Sequence, residues 1–315
     1  MMAIYGRHIL DTLHERVGDE EQMRENPRFD TSRNWVNGVW GRVIIRHGEA
    51  RGDPRGIYGD GPAYETDMTV FQIGTDIYRK QQVRDDGTKR DRDHLGIMGS
   101  YGNMDGNVTH NLLTFVIPAG HAEMDAWSLG GFWTHFEPDG FYFDAIVQGT
   151  WYDITFQSPR LDPISTDGFG LALSGETGYP LHLNKDWQIE PQAQLIYQML
   201  KLDGFRDPAA DVRFRDLDSL VGRIGFRLSN RGNHQGWLRG NIWHEFLGKP
   251  VTEFSSANGF VGFRATLPRN WWQVGIGGSM VASSNLTLYG QANYEQAFEG
   301  GTHAWDAKLG IRYNF

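Results

Sequence analysis

Charged side chains on a short N-terminal segment raise the first chemical question. In "IYGRHILDTLHERVGDEEQMRE" (4–25), Arg7, Asp11, His14, Glu15 and Arg16 stand among the apolar Ile9, Leu13 and Val17. Their chemistry is ion pairing: groups of both signs on one helix need partners when they leave water. Downstream segments offer such partners. Arg42, Arg46, Asp76, Asp144, Glu176, Glu190, Arg223, Arg227, Arg239, Glu245 and Arg312 fall on the polar faces of alternating runs. Spacing alone does not say which pairs with which.

Other chemistries fit these residues less well. Eleven histidines invite a metal, but His8 and His14 are six apart, on different helix faces, and there is no H-E-x-x-H. No metal and no cofactor is expected. "GIGG" (275–278) lacks the lysine and the helix of a phosphate loop. It reads as a place in a strand where a neighbouring side chain comes close. Ser128, His135 and His244 supply residue types for a Ser–His hydrolase but show no triad spacing, so no enzymatic activity is expected. Cysteine is absent, which excludes disulfides and thiolate chemistry. The net charge of −9, with basic residues scattered, offers no nucleic-acid stripe.

The elements that must position these charges follow from periodicity. Ile9, Leu13 and Val17 repeat at helical spacing over 4–25, and Pro27 stops the run. From Val39 the period is two. Val39, Gly41, Val43 and Ile45 alternate with Trp40, Arg42, Ile44 and Arg46, and comparable runs recur to Leu309, Ile311, Tyr313 and Phe315. About twelve such strands fit. Tight turns such as "EPDG" (137–140) and "ASSN" (282–285) alternate with long loops at 48–65 and 248–270. Short turns at one end and long loops at the other is the pattern of an outer-membrane barrel.

No run reaches the ~18 apolar residues of a membrane helix. Glycine is 40 of 315 residues and aromatics total 41, as suits an all-β chain with many turns. Polar faces rich in Arg, Gln, Asn and Glu, such as Glu190, Gln192, Gln194 and Gln198, can line a wet lumen. Aromatics near strand ends (Trp40, Tyr78, Trp133, Phe141, Trp151, Tyr179, Trp187, Trp237, Trp272 and Tyr294) form interfacial girdles in this reading. On a soluble protein they would be a liability. A barrel loses its free edges only when its last strand pairs with its first, so the final strand must be regular to its end.

The terminal pattern Lys308, Gly310, Tyr313 and Phe315 resembles the C-terminal assembly signal of Gram-negative outer-membrane proteins. "TLHERVG" (12–18) followed by "WVNGVWGRVIIRHGE" (35–49) resembles the helix and first strand of the autotransporter translocator domain of type V secretion. "WLRGNIWHEF" (237–246), "WWQVGIGGSMVASSNLTLYGQANYE" (271–295) and "LGIRYNF" resemble its last strands. The resemblance implies an all-β fold: a closed twelve-stranded antiparallel transmembrane barrel in the outer membrane, with an N-terminal helix inside the lumen. It implies that residues 1–26 are the pore helix and 34–315 the barrel, and that an upstream passenger is carried to the cell surface.

Geometry agrees. Twelve strands ~4.8 Å apart and tilted ~40° give a backbone radius of ~12 Å. Inward side chains leave a bore about as wide as one helix, ~10–12 Å.

The partners implied are outer-membrane lipid and lipopolysaccharide, the barrel-assembly machinery and the covalently attached passenger, with the barrel itself a monomer. The start "MMAIYG" reads as trimmed, with no signal peptide. Self-cleaving members of the family cut at paired Asn in the helix. No Asn precedes Asn26 and no Asn-Asn pair occurs, so no such cleavage is expected. Rival functions are a plain porin, an outer-membrane lipase barrel and a soluble β-sandwich binding module.

Overall fold

The computed structural model describes residues 1–18, 38–51, 62–83, 89–112, 115–230, 234–265, 268–299 and 301–315. Twelve strands carry the architecture: β1 (Gly38–Ala50), β2 (Ala63–Val83), β3 (Lys89–Leu112), β4 (Phe115–Phe136), β5 (Tyr142–Ser158), β6 (Leu161–Gly178), β7 (Trp187–Leu202), β8 (Leu217–Asn230), β9 (His234–Glu245), β10 (Asn270–Val281), β11 (Leu286–Ala297) and β12 (His303–Asn314). Each pairs antiparallel with its sequence neighbours. β12 pairs with β1 from Gly38↔Asn314 to Glu49↔His303, which closes the sheet. The expected closed, twelve-stranded, all-β barrel is the fold.

Alternation along each strand sorts the side chains. Phe71, Ile73, Trp127, Leu129, Ile224, Ile276 and Leu309 stand outward and exposed. Arg42, Gln72, Asp144, Gln148, Glu190, Arg223 and Arg239 point inward and are buried. An apolar exterior around a polar interior reverses a soluble protein and suits hydrocarbon outside. Two expected girdle residues are corrections: Trp40 and Trp237 are buried inside the barrel. Glycines on neighbouring strands make their room. A Cβ on Gly74 would lie 2.3 Å from Trp40, and one on Gly277 2.5 Å from Trp237.

The N-terminal segment departs from the single helix expected over 4–25. α1 (Met2–Leu10) ends at Asp11, and α2 (Leu13–Val17) begins after Thr12. Asp11 has φ 57° and ψ −161°, a region that costs a residue with a side chain ~1–3 kcal/mol. Thr12 starts α2 afresh: its hydroxyl accepts the Glu15 N–H and donates to the Glu15 carboxylate, a relative of the capping box. Residues 19–26 of the expected helix, and Pro27, lie outside the described residues.

Both helices sit inside the barrel, with Tyr5, Ile9 and Leu10 fully buried. Tyr5 and Ile9 pack with Ile44, Met68, Met104, Met124 and Tyr152, and Leu10 and Leu13 with Trp40, Phe132 and Ile196.

The long-loop end is more ordered than the spacing suggests. Val251–Ser256 and Gly259–Arg264 form a hairpin within the loop 248–270. It pairs through Asp211–Phe214 with Phe205–Arg206, building a separate four-stranded sheet. β3 and β4, with 24 and 22 residues, are far longer than the ~9–11 residues a membrane-crossing strand needs.

Candidate functional site

The helix break creates a chemical demand. α1 ends with carbonyls, and α2 starts with an N–H, that lack helical partners. Lumen side chains meet it. The Ile9 carbonyl accepts from Arg42 Nη2 and Gln72 Nε2, both at 3.0 Å. The Asp11 carbonyl accepts from Gln194 at 2.7 Å. The Leu13 N–H donates to Glu176 Oε2 at 2.9 Å. Further along, Gln198 donates to the Ala3 carbonyl and Tyr289 to the Arg16 carbonyl.

The charges are engaged in the same way. Arg16 donates twice to Asp144, at 3.0 and 2.7 Å, and Thr134 holds that carboxylate from behind. Arg16 is 0% and Asp144 1% exposed, so this fork-to-fork pair is shielded from water. His14 Nε2 lies 2.8 Å from Glu190. Arg7 meets Glu295 at 3.3 Å and lies over Trp271, whose ring stacks on Trp243. Arg46 shares Glu295 at 2.7 Å and donates from Nε to His8 Nε2. That bond, with His8 Nδ1 donating to the Ile4 carbonyl, sets the His8 tautomer.

Two carboxylates form the centre. Asp11 is reached by Arg42 at 2.8 Å and Lys308 at 2.6 Å. Glu15 is reached by Arg239 at 2.6 Å, Lys308 at 3.2 Å, Gln291 at 2.6 Å and Asn293 at 3.3 Å. The break at Asp11 therefore hands its charge to β1 and β12, the strands that close the barrel.

Among the described residues, Arg42, Arg46, Asp144, Glu176, Glu190 and Arg239 are seen to bond the helices. Asp76 instead pairs with Arg312 at 2.8 Å and Arg79 at 3.4 Å. Arg223 pairs with Glu176 at 3.1 Å and with amides of neighbouring strands. Arg227 lies over Trp237. Glu245 accepts from Ser219 and from backbone N–H groups of Leu247 and Gly248, tying the strand end to its loop.

Sequence reasoning placed Gln194 on a lumen-lining face without assigning it to the helices, and it missed Glu295, Gln72, Gln291, Asn293 and Tyr289. The inward parity of β2 and β11 was the signal that could have found them. In the terminal pattern, Lys308 faces the lumen and Tyr313 and Phe315 face out. A Cβ on Gly310 would lie 2.1 Å from the Tyr289 ring.

The "GIGG" glycines serve close approach: a Cβ on Gly275 would lie 2.0 Å from Asn293 Oδ1. Ser128 is buried inside and bonds Thr150. His135 and His244 sit on the opposite parity and bond Asp93 and Asn270, so the barrel wall separates these three residues.

The Autotransporter beta-domain family matches residues 39–293. The chain belongs to the autotransporter β-domain family. Its sequence is similar to the adhesin BmaC autotransporter of Brucella suis, 25% identical over 96% of this chain and 9% of the relative. It is likewise 25% identical to the pertactin autotransporter of Bordetella bronchiseptica, over 97% of this chain and 31% of that protein. The chain thus spans less than a third of either relative.

In fold it is similar to the transport unit of the autotransporter AIDA-I from Escherichia coli, with TM-score 0.75 and 19% identity over 94% of this chain and 96% of that one. The translocator domain of NalP from Neisseria meningitidis follows at TM-score 0.65 and 13% identity, covering 91% and 90%. As a member of the autotransporter β-domain family, the domain belongs to the outer membrane of Gram-negative bacteria.

Proposed function

We propose that residues 1–26 link an N-terminal passenger through the lumen, and that 34–315 form a monomeric barrel that delivers and anchors it at the cell surface. The observation that carries this reading is the docking of both helices. Every helix-break group described above is met by a lumen side chain, and the partners come from β1, β2, β5, β6, β7, β9, β11 and β12. A segment that merely rested in the bore would leave those groups to water. Arg7, Asp11, His14, Glu15 and Arg16 act as the plug's attachment points. Arg42, Arg46, Asp144, Glu176, Glu190 and Arg239 act as their sockets. Asp76, Arg223, Arg227, Glu245 and Arg312 keep the lumen wall polar and rigid.

Outside, the apolar face contacts membrane lipid and, at the long-loop end, lipopolysaccharide. Lys308, Gly310, Tyr313 and Phe315 present the final strand to the barrel-assembly machinery. A soluble reporter fused before Met1 tests delivery. In a Gram-negative host, added protease should remove the reporter from intact cells while the barrel stays in the membrane. A reporter reached only after the outer membrane is opened would overturn the proposal.

A further inference from the structure

The closing seam carries a side-chain cluster that the lumen network does not use. On the outer face, at the long-loop end, His47 and Glu49 of β1 meet Glu65 and Asp67 of β2 and His303 of β12. Register brings them together: Glu49 stands directly opposite both Glu65 and His303. Two carboxylates directly opposed across strands repel each other.

The imidazoles are aimed. His47 Nδ1 lies 2.8 Å from Asp67 Oδ1. An ionised carboxylate only accepts, so Nδ1 carries the ring proton and the neutral ring presents its lone pair at Nε2. That nitrogen faces Glu49 Oε1 at 3.5 Å and Glu65 Oε1 at 3.8 Å. His303 Nε2 stands 3.7 Å from the other Glu49 oxygen. Two imidazole nitrogens and three carboxylates thus form one chain, with Asp67 and Glu65 beside the His47 ring and Glu49 between His47 and His303. This is the donor set, with its orienting group, that a borderline divalent ion such as Zn²⁺ takes.

Ligand atoms of His47, Glu65 and Asp67 lie within 4.8 Å of one another, and the two Glu49 oxygens stand 3.5 Å from His47 Nε2 and 3.7 Å from His303 Nε2. Ligands held at ~2.0–2.2 Å around zinc stand ~3.4 Å apart, a contraction that half-exposed side chains can make. A related arrangement stands on β3 and β4. His121 Nδ1 lies 2.9 Å from Asn107 Oδ1, and Nε2 lies 3.1 Å from Glu123, with Asp105 completing the group. It lacks the second imidazole.

We infer that His47, Glu49, Glu65 and His303, oriented by Asp67, form a divalent transition-metal site that clips β12, β1 and β2 together. The ligands lie on both sides of the first-to-last strand pairing, so they converge only in the closed barrel. An ion that binds the folded state alone stabilises it by mass action.

The test uses the untagged chain folded in detergent and stripped with a chelator. Zn²⁺ alone is titrated by calorimetry, Co²⁺ alone is followed by its visible absorption, and thermal unfolding is recorded with and without Zn²⁺. The wild type should bind one Zn²⁺ with about micromolar affinity or better, give Co²⁺ bands of nitrogen–oxygen ligation, and melt higher with Zn²⁺. His47→Ala with His303→Ala should lose the tight site and the melting increment. Asp67→Asn should weaken binding about 10- to 100-fold, and His135→Ala, a histidine elsewhere on the outer wall, should leave it unchanged.

A wild type that binds no Zn²⁺ tightly, or a double variant that binds as the wild type does, would overturn the inference. If the double variant does not fold, Glu65→Gln replaces it under the same two readings.

Discussion

Asp144→Asn isolates a two-bond, fully shielded contact between plug and barrel. The substitution keeps the shape, and the remaining oxygen can still accept from Thr134. It removes the charge that faces Arg16 through two hydrogen bonds, in a pair 0% and 1% exposed. Leaving one member of a buried pair uncompensated costs ~3–5 kcal/mol. If that cost falls on seating α2, opening of α2 becomes between about 100-fold and about 4,000-fold more frequent.

Amide hydrogen exchange reads this directly, since protection reports local opening. The reporters are the Arg16 and Gly18 amides, bonded to the Thr12 and His14 carbonyls at 3.0 Å each. Their protection should fall by that factor, while β5 and β6 amides keep theirs. The apolar pair Arg16→Met with Asp144→Leu should recover most of the loss, because a well-packed apolar pair can replace a buried ion pair. Unchanged α2 protection in Asp144→Asn, or an equal fall throughout the barrel, would refute the assignment of this pair to plug seating.

Three further outcomes follow from the same network. In Asp11→Gly, relief of backbone strain at φ 57° gains ~1–3 kcal/mol. Loss of the partner of Arg42 and Lys308 costs ~3–5 kcal/mol, so α2 protection should still fall; a rise would show that the strain outweighs the ion pairs. Gly310→Ala should destabilise the barrel by ~1–3 kcal/mol through overpacking against Tyr289, read as a lower unfolding temperature on heated electrophoresis. Adding Tyr289→Ala should relieve the clash, and an unshifted single variant would count against it. Finally, with no Asn in the described helices, the intact mass of the folded chain should stay constant over days. A new C-terminal fragment cut within residues 1–26 would contradict this.

Much of the barrel was legible because one face of each strand meets lipid and the other a polar lumen, so period two survives along the chain. What the alternation could not reveal depends on distant pairing. Trp40 and Trp237 looked like girdle residues. They share the inward parity of Arg42 and Arg239, and Gly74 and Gly277 beside them in register give the rings room. The break at Asp11 is invisible in a helical repeat whose charges also repeat. It is stabilised by Arg42, Gln72, Gln194 and Glu176, from strands 31 to 183 residues away. Lys308 looked like part of a terminal signal, and the lumen gives it Asp11 and Glu15 as partners. The four-stranded sheet at the long-loop end joins two separate loops, a pairing that neither loop announces alone.

The central claim is that the N-terminal segment fills the bore. Single-channel recording in planar bilayers tests it most directly, comparing the full chain with one lacking residues 1–26. The account predicts a nearly closed full-length protein and a deletion variant with steady, much larger conductance, as befits a water-filled bore of ~10–12 Å. Equal conductance in the two proteins would contradict it.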